Sequence, residues 1–176
     1  NQTKLATIAI ADHNGPVYLR FGRPKVPNFT SEEFNFKIGE GIILKEGEDV
    51  TIVSTGHLVW ESLEASKKLD EIGISAEVIN IHTIKPLDEE IILNSVKKTN
   101  AVVSAEEHNF LGGLGESVSR TLSLNYPTPQ EFIATNDTFG ESGIPSDLMK
   151  KYGLDADSIV KSVKKVISRK KWENIY

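Results

Sequence analysis

The chain has 176 residues, 39% of them hydrophobic and 26% charged, which suits one domain with a self-sufficient core and excludes a disordered, collagenous or coiled-coil polymer. Its 20 basic and 25 acidic residues leave a formal charge of −5, so the basic footprint of a nucleic-acid binder is missing, and apolar runs such as Val50-Thr51-Ile52-Val53 are far too short to span a membrane. No cysteine is present, which excludes disulfides, thiolate catalysis and cysteine metal sites and is compatible with a reducing compartment.

The first residue is Asn1 and the single methionine is Met149, so the chain is expected to be a piece of something longer. Thr3 to Asp12, with Leu5, Ile8 and Ile10 among alanines, is expected to be the tail of a helix. A turn at Asn14-Gly15-Pro16 leads into an expected strand, Val17 to Phe21. Gly22 to Asn35 carries Pro24, Pro27 and no periodicity, and is expected to be a linker. The resulting division is residues 1–23 as the tail of a preceding domain, 24–36 as linker and 37–176 as the main domain.

Strands and helices then alternate. Strands are predicted at Ile42 to Leu44 and Val50 to Val53, then a helix from His57 to Ile72 ended by Gly73. Glu77 to Ile81 is a predicted strand. The next helix is capped by Asp88, with Glu89 and Glu90 in its first turn and Lys97 and Lys98 in its last, as the helix dipole favours. A strand at Ala101 to Ala105, a helix from Leu114 to Leu124 and a strand at Glu131 to Ala134 follow. Pro145 opens a short helix that ends at Gly153. Asp155 caps the last helix, whose stripe is Ile159, Val160, Val163, Val166 and Ile167 and whose C-terminal half carries Lys164, Lys165, Arg169, Lys170 and Lys171. This alternation predicts an α/β fold, a three-layer α/β/α sandwich around a mostly parallel sheet of about five strands.

Four constellations stand out. Gly112-Gly113-Leu114-Gly115-Glu116 joins a strand to a helix, the context of a phosphate cradle, but the third glycine of the dinucleotide fingerprint would fall at Val118 and the Walker lysine is absent. Close backbone packing is the better reading. Glu106-Glu107-His108 ends a strand where α/β proteins place ligands, yet adjacent side chains diverge and seldom converge on one ion. Thr55-Gly56-His57 opens a helix, and Thr55 or His57 is expected to cap it. His82 and His13 belong to no zinc-ligand spacing, and no Gly-x-Ser-x-Gly elbow occurs. Arg20-Phe21-Gly22-Arg23-Pro24-Lys25 concentrates cations at the linker's start, suited equally to an oxyanion site or to a solvated basic turn.

Gly15-Pro16-Val17-Tyr18-Leu19-Arg20-Phe21-Gly22-Arg23, Ile84-Lys85-Pro86-Leu87-Asp88, the Glu106 and Gly112 motifs, Gly140-Glu141-Ser142-Gly143 and Lys150-Lys151-Tyr152-Gly153-Leu154 occur together in this order. In these words, from about Asn14 to Arg169, the chain resembles the C-terminal end of transketolase, particularly the C-terminal section of split transketolases. The resemblance implies the end of a pyrimidine-binding domain followed by a transketolase C-terminal domain. The parent enzyme would be a cytoplasmic dimer of the pentose phosphate pathway, transferring a two-carbon ketol unit between sugar phosphates with thiamine diphosphate and Mg2+. The family's metal motif is not in this sequence, and its activating glutamate would lie upstream of Asn1. The fragment alone is therefore expected to bind no cofactor, to be inactive and to contribute to assembly with N-terminal transketolase domains or a subunit and with a homodimer partner. By motif, Arg23 matches the arginine that binds the substrate phosphate, and Arg20 matches a neighbouring position. No catalytic residue carries over. A deoxyxylulose-phosphate synthase, a 2-oxo acid dehydrogenase β subunit and a stand-alone interaction domain are the alternatives.

Overall fold

The structure is a computed structural model that describes residues 1–22, 25–31 and 34–170. Its elements in chain order are α1 (Gln2–Ala11), β1 (Ile42–Lys45), β2 (Val50–Ser54), α2 (Leu58–Asp70), β3 (Ala76–Asn80), α3 (Glu89–Thr99), β4 (Val102–Asn109), α4 (Leu114–Asn125), β5 (Gln130–Thr135), α5 (Pro145–Lys151) and α6 (Ala156–Lys170). The five strands form one sheet in the order β1-β3-β2-β4-β5. Strands β3, β2, β4 and β5 are parallel, in a register that aligns Ile52 with Val78 and Val103, and β1 closes one edge antiparallel to β3.

Every residue of β2 and of β3 is buried, as expected for strands covered on both faces. Successive side chains leave the sheet on opposite sides. Val50, Ile52 and Val78 pack with Leu58 and Leu69 of α2 and with Ile159 and Val163 of α6. Val53 and Ile79 pack with Ile92 and Val96 of α3 and with Leu114 and Val118 of α4. Helices therefore cover both faces, and the chain is the α/β/α sandwich that the alternation predicts.

Helix ends follow the local chemistry. Asp88 Oδ1 accepts the Ile91 N–H at 3.1 Å while its Oδ2 accepts the Gly41 N–H at 2.7 Å, so one carboxylate caps α3 and holds the approach to β1. Asp155 Oδ1 accepts the Ser158 N–H at 2.9 Å at the start of α6. Gly73 takes φ of +74° after α2, where the Ile74 N–H returns to the Leu69 carbonyl at 3.0 Å. The expected side-chain cap of α2 is not made: His57 occupies the N-cap position without a cap bond. Lys171 of the expected basic tail lies outside the described residues.

The segment before β1 departs from expectation. Val17 to Phe21 is extended but belongs to no ladder, and Tyr18 and Phe21 are 87% and 67% exposed. Strand composition alone does not make a strand, because a neighbouring edge must accept its hydrogen bonds. The expected linker is anchored where it crosses the body. The Phe29 ring stacks on Trp60 at 6.2 Å, Phe36 lies against His82 at 4.3 Å, and the Asn1 amide donates to the Thr30 carbonyl at 2.5 Å.

Candidate functional site

The chain leaves β2 to form β3 on one side and then returns to form β4 on the other, so the strand order reverses between β2 and β4. In open α/β sheets, ligands bind in the crevice beyond the strand C-termini at such a reversal. Here that crevice is flanked by Thr55-Gly56-His57 after β2 and by Glu106-Glu107-His108 at the end of β4. A stretch of the chain's own N-terminal segment lies across it. Arg20 directs Nη1 and Nη2 to the Glu107 carbonyl oxygen, each at 3.2 Å. Two residues on, Gly22 lies flat against the His57 imidazole, so close that a Cβ there would overlap Nε2. His57 Nδ1 is in turn 3.8 Å from Glu107 Oε2. Arg23 lies outside the described residues.

The three adjacent residues of Glu106-Glu107-His108 diverge, as expected. Glu106 turns inward and is 3% exposed. Its Oε2 and Oε1 accept the N–H groups of Leu114 and Gly115 at 2.7 and 2.8 Å, so an internal carboxylate occupies the electropositive start of α4. A Cβ on Gly113 would collide with that carboxylate and one on Gly115 with the Phe132 ring, so these two positions need bare backbone for close packing. The arrangement does not fit a diphosphate, because the amides that would hold it already serve Glu106. Glu107 leans toward His57, and the exposed His108 lies with Nδ1 2.8 Å from the Asn109 carbonyl. Among the described residues no three His, Asp or Glu side chains gather as metal ligands would.

The remaining motif words are joined at the surface. Glu141 Oε1 is held by Lys151 Nζ at 2.6 Å and by the Tyr152 hydroxyl at 2.9 Å, and the Lys151 bond keeps the Glu141 carboxyl below its ordinary pKa. His82 lies beneath Phe36, and its burial depresses the imidazole pKa against the opposing pull of the Glu40 backbone and Asp88. Two features escape a reading of the sequence. One is the seat of Gly22 on His57. The other is Asn80, 1% exposed, whose amide N and O find no partner among the described residues. A lone Asn inside Val78-Ile79-Asn80-Ile81 is the available signal for the second, whereas nothing local links positions 22 and 57.

The family model described as Transketolase, C-terminal domain matches residues 39–159. The chain belongs to the transketolase family. It is 43% identical over 169 residues to the 6-deoxy-6-sulfo-D-fructose transketolase subunit SqwH of Clostridium sp. (strain MSTE9), covering 96% of this chain and 52% of that protein. It is 44% identical over 164 residues to a putative transketolase C-terminal section of Methanocaldococcus jannaschii, covering 92% of this chain and 51% of that one. A solved structure of a split-gene transketolase, described as an inactive beta4 tetramer, superposes with a TM-score of 0.88 at 45% identity, covering 92% of this chain and 55% of that chain. The chain thus spans about half the length of the relatives it matches. Transketolases as a family depend on thiamine diphosphate. No described helix is long and apolar enough to cross a membrane.

Proposed function

We infer that the chain is the C-terminal part of a split, thiamine-diphosphate-dependent transketolase, which moves a two-carbon ketol unit between sugar phosphates once its complementary half is present. The observation that carries this reading is the likeness, over nearly the whole chain, to part of proteins described as a transketolase subunit and a putative transketolase C-terminal section. The superposing structure is an inactive tetramer of β chains, which favours inactivity and self-association without the partner. On this reading residues 1–23 end a pyrimidine-binding domain, 24–36 connect, and 37–176 form a C-terminal domain that serves assembly. Cofactor and Mg2+ would be held by the rest of the enzyme. The test is reconstitution. Ketol transfer with thiamine diphosphate and Mg2+ is expected when the parent subunit is mixed with its complement, and its absence from the mixture would sink the reading.

Within that enzyme Arg23 binds the substrate's terminal oxyanion. A guanidinium suits this task because its planar fork makes charge-assisted, bidentate bonds. The name of the Clostridium relative, whose sugar carries a sulfo group, is in keeping with an anionic tail. Removing such a bond costs about 1.5–3 kcal/mol, so Arg23→Ala is expected to raise KM for a phosphorylated acceptor roughly ten- to hundredfold. Arg23→Lys recovers little, since a point charge does not replace the fork. An unphosphorylated acceptor is nearly unaffected. Equal losses with both acceptors would return Arg23 to the bland reading of a linker cation.

A further inference from the structure

The chain reaches β1 along one path: residues 14–22 form a strap across the crevice between β2 and β4, and the linker follows. The end of the linker, with the turn after it, is fastened to the loop that leaves β3 at His82 and Thr83. The Phe36 ring covers the His82 imidazole, with centroids 4.3 Å apart and planes inclined by 31°. Beside it, the Gly39 N–H donates to Thr83 Oγ1 at 3.1 Å, and Thr83 Oγ1 stands 3.0 Å from His82 Nδ1. His82 Nε2 is buried and has no hydrogen-bond partner among the described residues. The ring is therefore enclosed at one nitrogen and coupled at the other, through one hydroxyl, to the main chain of the turn. Gly39 takes φ of +87°, and a Cβ there would stand 3.0 Å from the Pro86 ring, so the turn follows the loop closely.

We propose that His82 is a pH-sensitive latch on the linker: the neutral imidazole holds Phe36 and, through Thr83, the turn at Gly39 against the end of β3, and uptake of a proton releases them. The physical basis is the cost of charge in this seat. In the neutral ring the proton can sit on Nδ1, facing Thr83, and leave only a lone pair at Nε2. The charged ring places an N–H at Nε2 as well, and a buried donor without a partner is costly. Burial accordingly keeps the imidazole pKa below its ordinary value, while the Glu40 backbone and Asp88 pull the other way. Asp88 does not turn to the ring, because its two oxygens accept the N–H groups of Ile91 and Gly41. The other charged groups nearby are Lys37 and Glu40, which pair with each other at 3.2 Å, Lys85 on the loop, and Glu89, which pairs with Arg120; β2 ends uncharged at Ser54 and Thr55. A histidine whose folded pKa is depressed gives its stability in full above the ordinary value of about 6.5, and that stability is lost as pH falls from there through the folded value. The latch therefore opens on acidification. It acts on the segment between strap and sandwich and is separate from the ketol chemistry.

The test is hydrogen exchange of the full chain between about pH 8 and pH 5, corrected for the intrinsic pH dependence of amide exchange, beside an NMR titration of the His82 ring. The ring is expected to titrate below the ordinary histidine value. Protection of the Gly39 amide is expected to fall in the same window, by up to about tenfold per pH unit for one proton, while Val50 to Ser54 keep theirs. His82→Phe leaves a ring beneath Phe36 and removes the proton, so Gly39 is expected to stay protected across the whole range. Should thermal melts show that this variant fails to fold, His82→Gln gives the same comparison with a side chain that does not titrate and can still meet Thr83. Gly39 protection that is equal at the two ends of the range would overturn the latch, as would a ring that titrates at or above the ordinary value. A fall that persists in the variants would place the titration on a carboxylate such as Asp88 and also overturn it. A parallel loss in Val50 to Ser54 would mean global unfolding rather than release of the linker, with the same consequence.

Discussion

Glu77 is an acidic residue inside β3, and its side chain is 1% exposed. Burial pushes its carboxyl pKa up, but the Lys98 ammonium bonded to it opposes burial, and the carboxyl lies below the ordinary value. Lys98 Nζ stands 2.5 Å from Oε2 and is also within 3.4 Å of Glu46. A carboxyl whose folded pKa is depressed stabilises the fold above the unfolded carboxylate pKa, and that stability is lost as pH falls through the folded value. Removing one partner of a buried pair leaves an uncompensated charge, at a cost of about 3–5 kcal/mol in the general case. The Lys98 side chain is 31% exposed and water reaches its end of the pair, so Lys98→Met is expected to cost about 3 kcal/mol at neutral pH. Denaturant titrations check this in two ways. The penalty is expected to shrink as pH falls through the carboxylate range, and Glu77→Gln in the same chain is expected to recover most of it. A penalty independent of pH would show that lost packing, not charge, is responsible. The pairing is not legible from sequence: Lys98 reads as a dipole-favoured helix end, and its reach to Glu77 depends on how α3 lies across β3.

Among the elements, β2, β3 and β4 have ladder partners on both sides, whereas Val17 to Phe21 has strand composition and no ladder. Hydrogen exchange reads this difference directly. Amides of Val50 to Ser54 and Ala76 to Asn80 are expected to exchange only through global unfolding, and those of Val17 to Phe21 within the fastest class. Protection of Val17 to Phe21 in the isolated chain would mean that a further edge accepts their hydrogen bonds. Helices α3 and α6 are legible because caps, dipole charges and apolar spacing agree at Asp88 and Asp155. The sequence places the first residue of α2 almost correctly but for the wrong reason, since His57 turns its ring to the strap rather than to a cap bond.

At the scale of the whole molecule, the two apolar clusters share the sheet, and the linker is fastened to α2 by Phe29 on Trp60. Cooperative unfolding as one unit is therefore expected, with linker and sheet melting together. Far-UV circular dichroism and Trp60 fluorescence, the latter in a Trp172→Phe background, are expected to give coincident thermal transitions. An earlier fluorescence transition would show that the linker detaches before the sandwich melts. Such coincidence would make the strap's anchorage part of the same cooperative structure as the sheet.

The α/β class, the alternation of elements and the bland nature of the Gly-Gly-Leu-Gly run are readable from the chain by itself, because each rests on local properties: period, caps and missing motif residues. The tertiary structure alone decides the rest. Whether Val17 to Phe21 pairs depends on an available edge. The filling of the α4 N-terminus depends on which way Glu106 turns as β4 ends. The meeting of Gly22 with His57 depends on a strand order that reverses between β2 and β4. Those are contacts between residues far apart in sequence, and only the packing of the sheet brings them within reach.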